Sequence, residues 1–66
     1  METWMEPGKA YFRDAMEDLG LTEEDLAAER KEMERTGNTV NVPRGKYPTF
    51  DRIYQRAWHL RDIEDE

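Results

Sequence analysis

The side chains that could do chemistry here are carboxylates, a single imidazole and a scattering of bases. Sixteen Asp and Glu residues stand against ten Lys and Arg, and His59 is the one histidine. Cysteine and serine are both missing from the sequence, which removes the two commonest thiol and hydroxyl nucleophiles. At helical spacing the neighbours of His59 are Arg52, Arg56 and Asp62, the make-up of an ordinary exposed face rather than the setting of a general base. A carboxylate pair at glycosidase separation is easy to assemble from so many acids. A chain of 66 residues, however, cannot readily wrap a deep, water-excluding pocket around it. Glu23, Glu24 and Asp25 lack the alternating oxygen ligands and central glycine of a calcium loop. One histidine without cysteine excludes the usual structural zinc sites, and there is no glycine-rich phosphate loop. The expectation is a protein that is not an enzyme, with no catalytic residue, no metal and no cofactor.

Charge is better suited to binding. Asp14, Glu17 and Asp18 project from one predicted helix, and Asp25, Glu29 and Glu32 fall at helical spacing on the next. If those helices pack side by side, the six acids form one surface complementary to the basic groove of a nucleic-acid-handling protein. Such a surface could occlude the groove by imitating phosphate charge, as a DNA mimic does, and charge complementarity would speed association. Trp4, Tyr47 and Trp58 are the aromatic anchors such an interface calls for. The plain alternative is that the acids only solvate their helices. Against this stands a basic segment: residues 38–61 hold Arg44, Lys46, Arg52, Arg56 and Arg61 with Asp51 the sole acid. Arg44, Lys46, Arg52 and Arg56 are its candidate phosphate contacts, with Tyr47 and Trp58 available for stacking. Residues 1–37 carry eleven acids and five bases, and Asp62, Glu64, Asp65 and Glu66 close the chain with an acidic tail, 62–66. The whole carries −6, a field that repels nucleic acid while one segment attracts it.

The elements that must position these residues are three. A first helix over 7–19 opens at Pro7, whose missing N–H costs nothing in a first turn. Phe12, Ala15, Met16 and Leu19 form its apolar stripe. Gly20 supplies a left-handed stop onto which Leu21 can fold back. Thr22 caps a second helix, 22–36, whose first turn holds Glu23, Glu24 and Asp25 at the positive end of the helix dipole. Its apolar face is thin: Leu26, Ala27 and Met33, with Arg30 between. Gly37, Asn38, Pro43, Gly45 and Pro48 make 37–48 an extended loop, within which residues 39–42 could form a short strand if a partner strand exists. Thr49 caps a third helix, 49–63, with Phe50, Ile53, Tyr54, Ala57 and Leu60 inward and Trp58 at the flank.

The expected fold is therefore mainly α: one small three-helix domain spanning 1–66. Only 36% of the residues are apolar, so the core is marginal against an ordering cost of about 1.5 kcal/mol per residue. A protein partner, or a homodimer, would supply missing burial. No apolar run approaches the ~20 residues that cross a bilayer. Met1 to Met5 is acidic and lacks the apolar stretch of a secretory signal, so a cytoplasmic protein is expected.

The run from Pro7 through Gly20-Leu21-Thr22 to Leu26-Ala27 resembles the opening of lambda-repressor-like helix-turn-helix domains. The run Arg44-Gly45-Lys46-Tyr47-Pro48-Thr49-Phe50-Asp51-Arg52-Ile53, continuing to Ala57 and Leu60, is similar to that family's approach to its fourth helix. Together the two cover a little over half of the chain, residues 7–27 and 44–60. The resemblance implies a compact helical layout and, if the family's activity came with it, a DNA-binding transcriptional regulator working through 44–61. The family's recognition helix reads base edges in the major groove. In its place Glu29 to Pro43 is rich in glutamate, broken by Gly37 and Pro43, and would face phosphates carrying a charge every ~1.7 Å of duplex. The favoured expectation is a small acidic protein-binding regulator or inhibitor, of the type that short phage-encoded inhibitors represent. Direct nucleic-acid binding is the alternative.

Overall fold

Glycines with positive φ bound the first helix at both ends and stop the second. In the computed structural model, which describes residues 2–39 and 41–64, the first helix, α1, spans Lys9–Leu19. It opens two residues later than the proline suggests. Gly8, at φ 113°, is the N-cap, and Pro7 lies outside the helix with its ring fully buried. Proline is spent here on packing rather than on the first helical turn. At the other end Gly20 adopts the left-handed conformation at φ 69°. The Leu21 N–H then donates to the Met16 carbonyl at 2.8 Å, and the Leu21 side chain packs back against the core.

The second helix, α2, spans Glu23–Thr36. Thr22 is its N-cap, and the Asp25 carboxylate accepts from the Thr22 N–H at 2.7 Å. Gly37, at φ 77°, ends it, with the Asn38 N–H donating to the Met33 carbonyl at 2.8 Å. The apolar face of α2 is thinner than the sequence suggests. Leu26 and Met33 are buried, but Ala27 is exposed. The third helix, α3, spans Pro48–Glu64 and starts at proline, so Thr49 lies inside it rather than capping it.

Two short strands complete the fold. β1, Thr3–Trp4, pairs antiparallel with β2, Val42–Pro43, with Thr3 opposite Pro43 and Trp4 opposite Val42. The strand expected within 39–42 therefore reaches the ladder only at Val42 and extends to Pro43; Val40 lies outside the described residues. Its partner is the segment ahead of α1, reached across most of the sequence.

The core gathers on α3. Phe50, Ile53, Tyr54 and Ala57 pack against Ala15 and Met16 of α1, Leu26 and Met33 of α2, and Val42 and Tyr47 of the loop. α3 contacts α1 extensively and α2 less so. Aromatic rings knit the centre: Phe12 meets Tyr54 edge-on at 5.4 Å, and Trp4 stacks on Tyr54 at 5.7 Å. Among the described residues no helix is long and apolar enough to cross a membrane.

Candidate protein-binding surface

The six acids expected to form one surface meet three different fates. On α2, Glu29 turns inward, and its carboxylate accepts from the Thr49 and Phe50 N–H groups, both at 3.4 Å. It caps the first turn of α3, whose free N–H groups have no partner within the helix. Asp25 is held in the Thr22 cap. Glu32 accepts two bonds from the Arg35 guanidinium, at 2.6 and 3.1 Å, and that pairing holds its carboxyl below the ordinary range. These three α2 acids are thus engaged by helix N-termini and by Arg35. On α1, Asp18 receives the Arg56 Nε at 2.7 Å, which ties α1 to α3. Asp14 and Glu17 have no hydrogen bond or ion pair among the described residues. With Asp18 and Glu64 they surround a shallow hollow floored by Tyr11 and Leu60.

The side-by-side packing on which a continuous acidic surface depends is not how the helices sit. α3 is the shared partner, and α1 and α2 diverge to flank an open cleft of about 450 Å³. Phe12, Met16, Met33, Phe50 and Tyr54 line its depth. Arg30 crosses it, 5.8 Å from the Phe50 ring centre and 3.2 Å from the Glu23 carboxylate. Lys9, Arg13 and Arg30 balance Glu6, Glu23 and Glu34 at the rim, so the cleft carries no net sign. Burial, reinforced by the negative charge of Glu6, pushes the Tyr54 phenol above its usual value. None of these groups forms a nucleophile–base pair. Among the described residues no group of three or more His, Asp or Glu is placed to hold a metal ion.

Of the three aromatic anchors, Tyr47 is buried in the core and Trp4 packs against it, whereas Trp58 is half-buried and lies outside the core cluster. Tyr47 is 3% exposed, and hydrogen bonding from Asn38 and Thr36 at its hydroxyl holds the phenol below its usual value. Trp4 donates its indole N–H to Asp51 at 2.8 Å, and the Arg44 guanidinium lies 4.2 Å over its ring. Trp58 donates to the Met5 carbonyl at 2.9 Å and lies under Arg61 at 5.0 Å. The basic residues are dispersed. Arg44 is engaged with Trp4 and Glu2, Lys46 sits 5.7 Å from the Tyr47 ring, and Arg56 serves Asp18. Arg52 lines a separate basin with Leu19, Gln55, Arg56 and His59.

Sequence reasoning missed Asp51, the lone acid of the basic segment. Its carboxylate takes both the Trp4 indole and the Gly45 N–H, fixing β1 and the loop to α3. Its position in the first turn of a helix was the available signal; the partner 47 residues away left none. The fold class that emerges is a mainly α small domain with a two-stranded antiparallel sheet. Comparison with protein-family models, curated proteins and solved structures finds no match.

Proposed function

We propose that the chain is a small, non-enzymatic regulator that binds a protein through the acidic end of the α1–α3 seam. One observation carries this reading. Asp25, Glu29 and Glu32 of α2 are held by caps and an ion pair, whereas Asp14 and Glu17 gather with Glu64 around a hollow floored by Tyr11 and Leu60, with no cation on them among the described residues. Exposed carboxylates left unpaired beside partly apolar ground suit a partner that brings Lys or Arg and some apolar contact. The partner that fits is a protein with a basic, nucleic-acid-handling groove, and the effect would be occlusion of that groove. This is the working mode of a phage-type inhibitor or DNA mimic in the cytoplasm. The absence of serine and cysteine, with one histidine, supports a non-enzymatic role.

Direct binding of duplex DNA through Arg44, Lys46, Arg52 and Arg56 has less support, because Arg44 and Arg56 already have acidic or aromatic partners.

The test is the double reversal Asp14→Lys/Glu17→Lys. Basic nucleic-acid-binding proteins captured by the chain from host lysate would be purified and assayed for duplex binding with and without it. The chain should displace duplex from its partner, and the variant should lose at least about tenfold in potency while keeping its helical circular dichroism. Equal potency of the variant overturns the reading, as does tight, salt-sensitive binding of duplex by the chain alone.

A further inference from the structure

The face that carries Asp14 and Glu17 has a second half of opposite sign. α1 runs antiparallel to α3 along the seam: Leu19 shares a basin with Arg52 and Gln55, while Tyr11 shares a hollow with Leu60 and Glu64. On α3, Arg52, Arg56, His59 and Ile63 are spaced i, i+4, i+7 and i+11, which places them in one stripe beside α1. Arg52 and His59 are exposed, and neither has a hydrogen bond or ion pair among the described residues. An acidic row on α1 thus lies next to a basic row on α3, joined at the middle by the Asp18–Arg56 pair. Ile63, 55% exposed, ends the basic row, and Met5 is the other large apolar side chain left so open among the described residues.

We infer that this face docks on a second copy of the same chain. A two-fold axis along the seam lays the acidic row of one copy on the basic row of the other, and does so twice, as an isologous interface requires. The same rotation carries each Ile63 toward the Tyr11–Leu60 hollow of the other copy, giving the contact an apolar anchor. Charge complementarity selects the second copy as occupant: both rows are satisfied at once, which a uniformly basic partner cannot do. The net −6 of each copy opposes approach, but that repulsion is screened beyond about 8 Å at physiological salt, while the facing rows meet at contact distance. From Arg52 to Glu64 the face is only about 18 Å long at a helical rise of 1.5 Å per residue. The dimer therefore belongs with small, transient interfaces. It also hides Asp14 and Glu17, so self-pairing competes with the basic partner. That consequence rests on the function proposed above; the dimer itself does not.

Sedimentation equilibrium on the full chain, up to about millimolar protein, tests it with a charge swap. Arg52→Glu/His59→Glu makes both rows acidic, and Asp14→Lys/Glu17→Lys makes both basic. Each variant alone should associate at least about tenfold more weakly than the parent, and an equimolar mixture should regain parental association because both contacts are restored in the mixed dimer. A parent that stays monomeric throughout overturns the inference. So does association that the variants leave unchanged, or that the mixture fails to restore. If either variant loses helical circular dichroism, Arg52→Ala and Asp14→Ala replace it, each expected to weaken association. Arg52→Glu/His59→Glu keeps the acidic row, so its displacement of duplex from a basic partner reads the proposed function independently of self-pairing.

Discussion

Replacing Trp4 tests whether the segment ahead of α1 is structure or bait for a partner. In the fold the indole stacks on Tyr54 at 5.7 Å with 11° between the planes, donates to Asp51 at 2.8 Å, and carries Arg44 at 4.2 Å. Trp4→Ala removes a ring contact worth roughly 1 kcal/mol beyond its burial. It also removes a charge-assisted hydrogen bond of about 1.5 kcal/mol and a cation–π contact of about 0.5 kcal/mol. These add to about 3 kcal/mol before the burial of the half-covered ring is counted, so the expected loss is at least about 3 kcal/mol, within the range of aromatic truncations. For a domain of this size that lowers the midpoint of thermal unfolding by roughly 12–24 °C. Trp4→Phe keeps a stacked ring and loses the donor, so about 1.5 kcal/mol is expected. Urea unfolding followed by circular dichroism at 222 nm reads both changes. A Trp4→Ala protein within about 0.5 kcal/mol of the parent, the range of an ordinary surface change, refutes the reasoning and returns Trp4 to the list of exposed anchors.

Two further outcomes follow from the same geometry. The folded state holds the Tyr54 proton above the ordinary phenol value of 10.0. Its contribution is therefore fully present below that value and lost as pH rises through the raised one, and the stability of Tyr54→Phe relative to the parent should improve between about pH 8 and about pH 11 in urea titrations. A pH-independent difference would rule out that linkage. Glu29→Ala should cost about 1 kcal/mol and speed amide exchange at Thr49 and Phe50, because it uncaps α3, whereas Asp14→Asn/Glu17→Gln should stay within about 0.5 kcal/mol. Equal costs for the two would contradict the division of the acids into structural and free.

The helices were legible because their signals are local. The apolar spacing of Phe12, Ala15, Met16 and Leu19, the left-handed stops at Gly20 and Gly37, and the Thr22–Asp25 cap each act within a few residues. The stripe of α3 was legible for the same reason. The site was legible only as a set of residue types. Helical spacing put six acids on outward positions, but a capping carboxylate and a free one look alike in sequence. Glu29 and Asp14 differ through what lies across from them: the N-terminus of α3 for one, water and a shallow hollow for the other.

What the sequence determined by itself is the mainly α character, the approximate helix limits and the segregation of charge, since backbone preference and periodicity are properties of neighbouring residues. Tertiary structure alone decided that α1 and α2 diverge across α3, that β1 finds β2, that Trp4 and Tyr47 turn inward, and which acids stay free. Those outcomes come from contacts between residues tens of positions apart, such as Trp4 with Asp51 and Asp18 with Arg56, where burial and charge pairing act through space and leave no periodic trace along the chain.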